Sequence, residues 1–332
     1  MNDYKPVSIL GMGKCLPKRK VLSSEIEEKL GIPPGWSVRF SGVEERYHSD
    51  GESSAELGAR ALEEALDRAG VRFDELDLMI CGSSTFDFPI PNQACMIKSE
   101  IKGGTECDVP AISIDSTCLG FVSAFDMAAS LLDGKRYKKI GIVSVEVASK
   151  GLNPKDWETS TLFGDGAAAA VIAWAPEREG YVIKADMKTW SENIFSTQVK
   201  GGGNAYFFKD HPYDPALHSF AMEGKTLLRM ASTKIPIFMD KFFSDLDIKI
   251  TDVELIIPHQ ASKIGIELFF RMYPLRREQL FGNLRTHGNC ISASIPMSLY
   301  DAIEAGKLQR GQTCLISGTS AGFSIGGLLF RY

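Results

Sequence analysis

Apolar positions along the chain fall into two patterns: short β-branched runs, and longer stretches with helical spacing. Val7 to Gly13 predicts a first strand running into a glycine turn. Trp36 to Val43 reads as a mixed aromatic and basic loop. Ser53 and Glu56 form a capping box that opens an amphipathic helix, with Leu57, Ala61, Leu62, Ala65, Leu66 and Ala69 on one face and Gly70 as its stop. Leu76 to Cys81 predicts a strand, followed by a turn at Gly82-Ser83-Ser84, a loop carrying Phe86, Phe88, Pro89 and Pro91, and a short helix near 93–101. Lys139–Val147 is another β-branched strand, and Phe163-Gly164-Asp165-Gly166-Ala167 leads into an apolar strand ending near Trp174. Residues 175 to about 220 break the pattern with charges, aromatics and Gly201-Gly202-Gly203, and predict a linker plus a surface insertion over about 185–220. The alternation resumes at Val253 to His259, a strand ending at a histidine and followed by a helix. Strands alternating with helices predict a parallel or mixed α/β sheet.

The second half echoes the first. Leu76 to Ile80 before Gly82-Ser83-Ser84 matches Val253 to Ile257 before His259-Gln260-Ala261-Ser262. Asp133-Gly134-Lys135 follows Cys118 at the interval by which Ala305-Gly306-Lys307 follows Cys290. A long-range echo of this kind predicts a duplicated α/β unit, dividing the chain into 1–174 and 175–332. It also sets the Cys118 turn opposite the Asn289 turn, and the turn after Cys81 opposite the one carrying His259. Halves packed face to face would bring these turns together near the strand ends.

One stretch stands at the centre. Ile112 and Ile114 lead into Asp115-Ser116-Thr117, good N-cap residues, and then Cys118 and an apolar helix running to Leu132. Only Ser123, Asp126 and Ser130 mark a polar stripe on that helix, so it should be buried nearly all round. A cysteine where a strand feeds a helix meets free N–H groups and the positive dipole end, which favour thiolate over thiol. The plain alternative is a small core hydrophobe.

Composition narrows the field. The 332 residues are 44% hydrophobic and 24% charged, with a formal net charge of −5, which gives no basic footprint for nucleic acid. No apolar run approaches the ~20 residues that span a bilayer. Met1-Asn2-Asp3-Tyr4-Lys5 lacks the pattern of a secretory leader. Seven scattered cysteines, none in a C-x-x-C pair, predict a reducing cytoplasm rather than a disulfide framework or a zinc site. The five histidines show no metal-ligand spacing.

Cys118, His259 and Asn289 thus fall on equivalent loops of a pseudo-twofold structure, and a thiolate, an imidazole and a carboxamide suit acyl transfer through a thioester. Taken singly, His259 reads equally well as a helix cap, and Asn289 as the N-cap of the segment containing Pro296. A Cys-His-Asn set also serves papain-like peptidases, but their signature around the cysteine is missing here and they carry no such duplication.

These residues carry a resemblance. The chain resembles the β-ketoacyl-acyl-carrier-protein synthase III branch of the thiolase superfamily over nearly its whole length. The motifs are Asp115-Ser116-Thr117-Cys118-Leu119-Gly120-Phe121, Phe163-Gly164-Asp165-Gly166-Ala167, Pro258-His259-Gln260-Ala261-Ser262, and His287-Gly288-Asn289 running to Ser294-Ile295-Pro296, with a closing Gly322-Phe323 strand. The resemblance implies a five-layered αβαβα fold, a cytoplasmic homodimer and no cofactor beyond CoA or phosphopantetheine thioesters as substrates. It implies that Cys118 takes an acyl group from an acyl-CoA or acyl carrier protein. The backbone N–H groups of Cys118 and Ala321 would form the oxyanion hole. His259 and Asn289 would stabilise the enolate left when a malonyl thioester loses CO2, and His287 would hold the turn presenting Asn289. Trp36, Arg39, Ile90, Ser262 and Phe323 match substrate-contacting positions, and Arg229 and Arg271 match basic positions that dock carrier protein. Ile90, with Phe86 and Phe88 nearby, matches a loop that reaches the partner subunit's acyl pocket.

The chain also departs from the family. Phe40 stands four residues after Trp36 where an arginine is common, and the basic residue is Arg39. Ser262 replaces an asparagine that faces pantetheine, and Ile264 an arginine that aids carrier docking. These differences suggest a specialised relative rather than the housekeeping initiator of fatty-acid synthesis. The rival readings are condensation without decarboxylation, with Asp87 as the one nameable base, acyl transfer to an alcohol or amine, and a non-catalytic partner subunit.

Overall fold

The run Gly166–Trp174 is buried at every residue but its last, as an interior strand covered on both faces must be. Around it, in the computed structural model, the first sheet runs Val7–Cys15, Gly166–Trp174, Lys139–Glu146, Leu78–Gly82, Ala111–Ile114. Its first two pairings are antiparallel and its last two parallel. The second sheet runs Tyr181–Thr189, Ser324–Arg331, Thr313–Ser320, Leu255–Pro258, again antiparallel twice and then parallel. A parallel bridge from Leu280 to Ile256 occupies the place that Ala111–Ile114 holds in the first sheet. The same strand order and pairing senses therefore occur twice. The structure describes residues 4–178 and 180–332; Met1, Asn2 and Asp3, the start of the segment read for a leader, lie outside the described residues, as does Glu179.

Helix Ser54–Ala69 opens as the capping box requires, with Glu56 N donating to Ser53 Oγ at 3.0 Å and Ser53 N donating to the Glu56 carboxylate at 2.9 Å. It buries Leu57, Ala61, Leu62 and Ala65 on the outer face of the first sheet. Gly224–Phe243 and Lys263–Met272 cover the outer face of the second. Between the sheets lie Gly120–Leu131 and Ser294–Glu304, whose Phe121, Phe125, Ile295 and Leu299 share one core with Ile80, Ile140, Ile257 and Leu328 from both sheets. The layers are αβαβα, as the motifs imply.

Two local expectations need correction. Trp36–Phe40 is a short helix rather than a loop. Tyr181–Thr189, expected to lie in a linker and insertion, is the edge strand of the second sheet. Lys184, Asp186 and Lys188 alternate there with Ile183, Ala185 and Met187, the two-residue period of a strand, and an edge position tolerates the charges. The remainder of that segment holds only short pieces, and Phe220 from its end packs edge-on against Phe163 at 4.7 Å.

Candidate active site

Beneath Cys118 the strand Leu78–Gly82 and the helix Gly120–Leu131 meet without side chains. A Cβ on Gly120 would lie 2.5 Å from the Gly82 carbonyl oxygen, and one on Gly82 would lie 2.4 Å from that of Gly120. This contact seats the start of the helix directly on the end of that strand, while the chain enters the Cys118 turn from the neighbouring strand Ala111–Ile114. Cys118 sits in the 3₁₀ turn Thr117–Leu119, ahead of the helix rather than in its first turn. Thr117 takes a left-handed φ of 48°, and its N–H donates to Asp115 Oδ1 at 2.8 Å. The side chain of Asp115 thus holds a conformation costly for a β-branched residue.

The second half builds the same turn. Ile291 has φ 45°, its N–H donates to Asn289 Oδ1 at 2.8 Å, and a 3₁₀ turn Ile291–Ala293 precedes helix Ser294–Glu304. Superposing the turns pairs Asp115 with Asn289 and Cys118 with Ser292. The sequence echo had paired Cys118 with Cys290, a slip of two residues. Gly134 and Gly306 anchor the echo, but the second helix is one residue shorter, 11 against 12, and the turn from its end to the glycine is shorter by one more.

The turns meet. Thr117–Leu119 packs against Ile291–Ala293 and against strand Thr313–Ser320. Asn289 is buried and locked in backbone pairing with the Phe163 motif: its N–H donates to Leu162 O at 2.9 Å, and Gly164 N donates to Asn289 O at 3.1 Å. Asn289 Nδ2 donates to Ala261 O at 3.3 Å, tying it to the His259 turn and leaving its second N–H to offer. His259 N donates to Ser317 O at 2.8 Å. A Cβ on Gly318 would come within 2.5 Å of His259 Cβ, so only glycine lets that strand pass the imidazole.

Electrostatics set the resting state. Burial pushes the Cys118 thiol up to about 12; the Glu146 carboxylate adds to that push and the backbone N–H of Cys118 opposes it. The expected bias toward thiolate is therefore corrected: desolvation outweighs the turn's donors, and the resting sulfur is a thiol. Burial alone holds His259 down to about 4, so it is neutral at physiological pH, and its Nδ1 is sealed from water without a hydrogen-bond partner. Because the folded value lies below the ordinary 6.5, the stabilisation is complete above about pH 6.5 and is lost as pH falls toward 4. The loss amounts to roughly 3 kcal/mol. Urea midpoints at pH 7 and pH 4.5 should fall further apart for wild type than for His259→Gln; equal falls would show that His259 is not a buried neutral imidazole.

Two regions of the chain match one family: residues 112–191 match 3-oxoacyl-[acyl-carrier-protein (ACP)] synthase III, and residues 243–332 its C-terminal part. A β-ketoacyl-[acyl-carrier-protein] synthase III of Syntrophomonas wolfei is 31% identical over 98% of this chain and 97% of its own. The chain belongs to the β-ketoacyl-acyl-carrier-protein synthase III family. The crystal structure of the 3-oxoacyl-[acyl-carrier-protein] synthase III of Aquifex aeolicus, 27% identical, covers 99% of this chain and 100% of its own with a TM-score of 0.87. A priming β-ketosynthase from the R1128 polyketide pathway, 22% identical, shares the fold with a TM-score of 0.87 over 100% of this chain and 98% of its own. Family membership makes the protein a transferase of the condensing type, joining acyl thioesters.

Other positions that the family resemblance singles out are scattered more widely. Trp36 is half-buried against Phe40 at 4.7 Å, and the Arg39 guanidinium lies over the Phe40 ring at 5.1 Å. Trp157, which the sequence reading missed, adds an edge contact to Trp36 at 5.9 Å, giving this surface an aromatic cluster. Ile90 is 87% exposed. Ser262 Oγ accepts from Gly265 N at 3.1 Å and caps helix Lys263–Met272. Phe323 lies in the core of the second half, while Ala321 is half-buried at the end of strand Thr313–Ser320. Arg229 and Arg271 are exposed. His287 is buried, with Thr286 Oγ1 at 2.8 Å from its Nδ1 and Lys14 Nζ at 3.4 Å from its Nε2, consistent with holding the turn.

Asp87 accepts from Ser54 N at 2.9 Å, Ala55 N at 2.8 Å and Gln93 Nε2 at 2.9 Å. A carboxylate so engaged is a cap rather than a free base. Glu146, also missed, is fully buried beside the Cys118 and Asn289 turns. The signal was present: it is the only charge in the run Ile140–Val147. Among the described residues, no group of three or more His, Cys, Asp or Glu is placed to hold a metal ion, and no helix is long and apolar enough to cross a membrane.

Proposed function

We propose that the protein is a decarboxylating β-ketoacyl synthase in which Cys118 is the acyl carrier and His259 and Asn289 serve the second substrate. The Cys118 sulfur attacks the carbonyl of an acyl-CoA or acyl-carrier thioester, and the departing thiol leaves with the proton. A malonyl-type thioester then loses CO2. The released electron pair becomes an enolate, whose oxygen is held by N–H donors from neutral His259 and from Asn289. The enolate carbon bonds to the acyl carbonyl, whose oxyanion rests on the N–H groups of Cys118 and Ala321, and collapse returns the sulfur. The observation that carries this reading is the convergence of the three turns, with Asn289 bonded beside His259 and the Cys118 turn packed on the turn that follows Asn289.

In this reading the chain divides into halves at 1–174 and 175–332, the first bearing the nucleophile and the second the donors. Trp36, Arg39, Ser262 and Phe323 serve substrate, Arg229 and Arg271 dock a carrier protein, and the protein works as a cytoplasmic homodimer without a cofactor. The exposed Ile90 supports pairing, since an isoleucine bared to water gains by entering a second subunit. The test is intact-mass screening against a panel of acyl-CoAs, followed by a chase with malonyl carrier protein while CO2 is measured. One adduct per chain and one CO2 per product are expected. Product without CO2 would instead identify condensation of two acyl thioesters, and transfer to an alcohol or amine would identify the other rival.

A further inference from the structure

Glu146 stands at the end of strand Lys139–Glu146, fully buried, and its carboxylate collects donors from two separate segments. Ser84 N reaches Oε1 at 2.9 Å, and Thr85 reaches Oε2 through N at 2.9 Å and Oγ1 at 2.7 Å. Ser292 Oγ, which holds the nucleophile's place in the second half, donates to Oε1 as well. Ser84 Oγ passes the connection on to Asp115 Oδ1 at 2.9 Å, the same oxygen that holds Thr117 N at 2.8 Å. One carboxylate thus links the start of the loop leading to Ile90, the turn behind Asn289 and, through Ser84 and Asp115, the Cys118 turn.

We infer that Glu146 is a positioning residue of the condensing site, fastening these three segments together around Cys118, with its carboxylate, when ionised, set against a second negative charge on the sulfur. The inference rests on Cys118 being the nucleophile. The charged groups acting on Cys118 are Glu146 and Asp115, and the titratable groups facing Glu146 are the thiols of Cys81, Cys118 and Cys290. Burial raises the Glu146 carboxyl to about 7 while its four donors hold it down, so its charged and neutral forms are both populated near neutral pH.

The experiment is the rate of iodoacetamide alkylation of Cys118 against pH, read by peptide mass, with exposed Cys95 as the internal reference. Glu146→Gln should lower the Cys118 midpoint by about one pH unit, equivalent to about tenfold faster alkylation below the midpoint. Glu146→Asp restores a carboxylate and should return the profile toward wild type. If Glu146→Gln does not fold, Ser292→Ala replaces it: losing a donor raises the carboxyl's proton affinity, and alkylation near pH 7 should rise about threefold. A Glu146→Gln profile that overlays wild type, an equal shift in Glu146→Asp, or an unchanged Ser292→Ala profile overturns the inference. Alkylation needs no acyl substrate, so a normal Glu146 effect together with no acyl labelling would instead sink the nucleophile reading.

Discussion

Cys118→Ala leaves the protein without any acyl adduct, and condensation falls by about 10⁴-fold or more, the scale seen when a covalent nucleophile is deleted. The resting sulfur is a thiol held near 12, so thiolate forms only as the thioester carbonyl is engaged and its developing charge is met by the turn's N–H groups. Cys118→Ser is the sharper control. It preserves shape, but a hydroxyl is a far weaker nucleophile in this setting, so labelling should fail while the thermal midpoint stays close to wild type. Intact mass after incubation with acyl-CoA decides the matter. An adduct surviving in Cys118→Ala, for instance on exposed Cys95, together with product formation, would move the chemistry elsewhere.

Asn289→Asp should lose about 10²–10³-fold in carbon–carbon bond formation while keeping much of the acyl labelling. The asparagine does two jobs with opposite ends of its carboxamide. Oδ1 accepts from Ile291 N at 2.8 Å and holds the strained turn, whereas Nδ2 carries the donors. Aspartate keeps the acceptor and removes the donors, and it adds a negative charge where an enolate must form. Asn289→Ala removes both, leaving a buried N–H at Ile291 unpaired at a cost of about 1–3 kcal/mol, so it confounds catalysis with stability. Single-turnover acylation and the malonyl chase, run separately on both variants, resolve the two roles. Wild-type condensation by Asn289→Asp would rule Asn289 out as a donor.

Much of this arrangement was legible in the sequence because its causes are local. The β-branched run before Asp115, the capping box at Ser53 and the duplicated strand–turn patterns each determine structure within a few residues. Where the reading failed, the cause lay at a distance. The slip between the two turns comes from a helix and a following turn that are each one residue shorter in the second half. Strand Tyr181–Thr189 does alternate locally, but its charged positions sit in a stretch whose composition reads as surface, and the sheet it joins settles its place. Thiol acidity at Cys118 depends on burial and on Glu146, which is 28 residues away along the chain. A helix dipole reflects only the residues beside the sulfur and carries no trace of that carboxylate. Phe220 likewise closes on Phe163 from a segment whose composition suggests only surface.

The bare contact between Gly82 and Gly120 bears on how such a protein can drift. Reactive side chains can be exchanged for others of similar size, and a lineage can trade one chemistry for another in this way. A main chain pressed against a main chain has no smaller substitute, so in a library randomised around the sulfur the most intolerant sites should be two positions that take no part in any bond-making step.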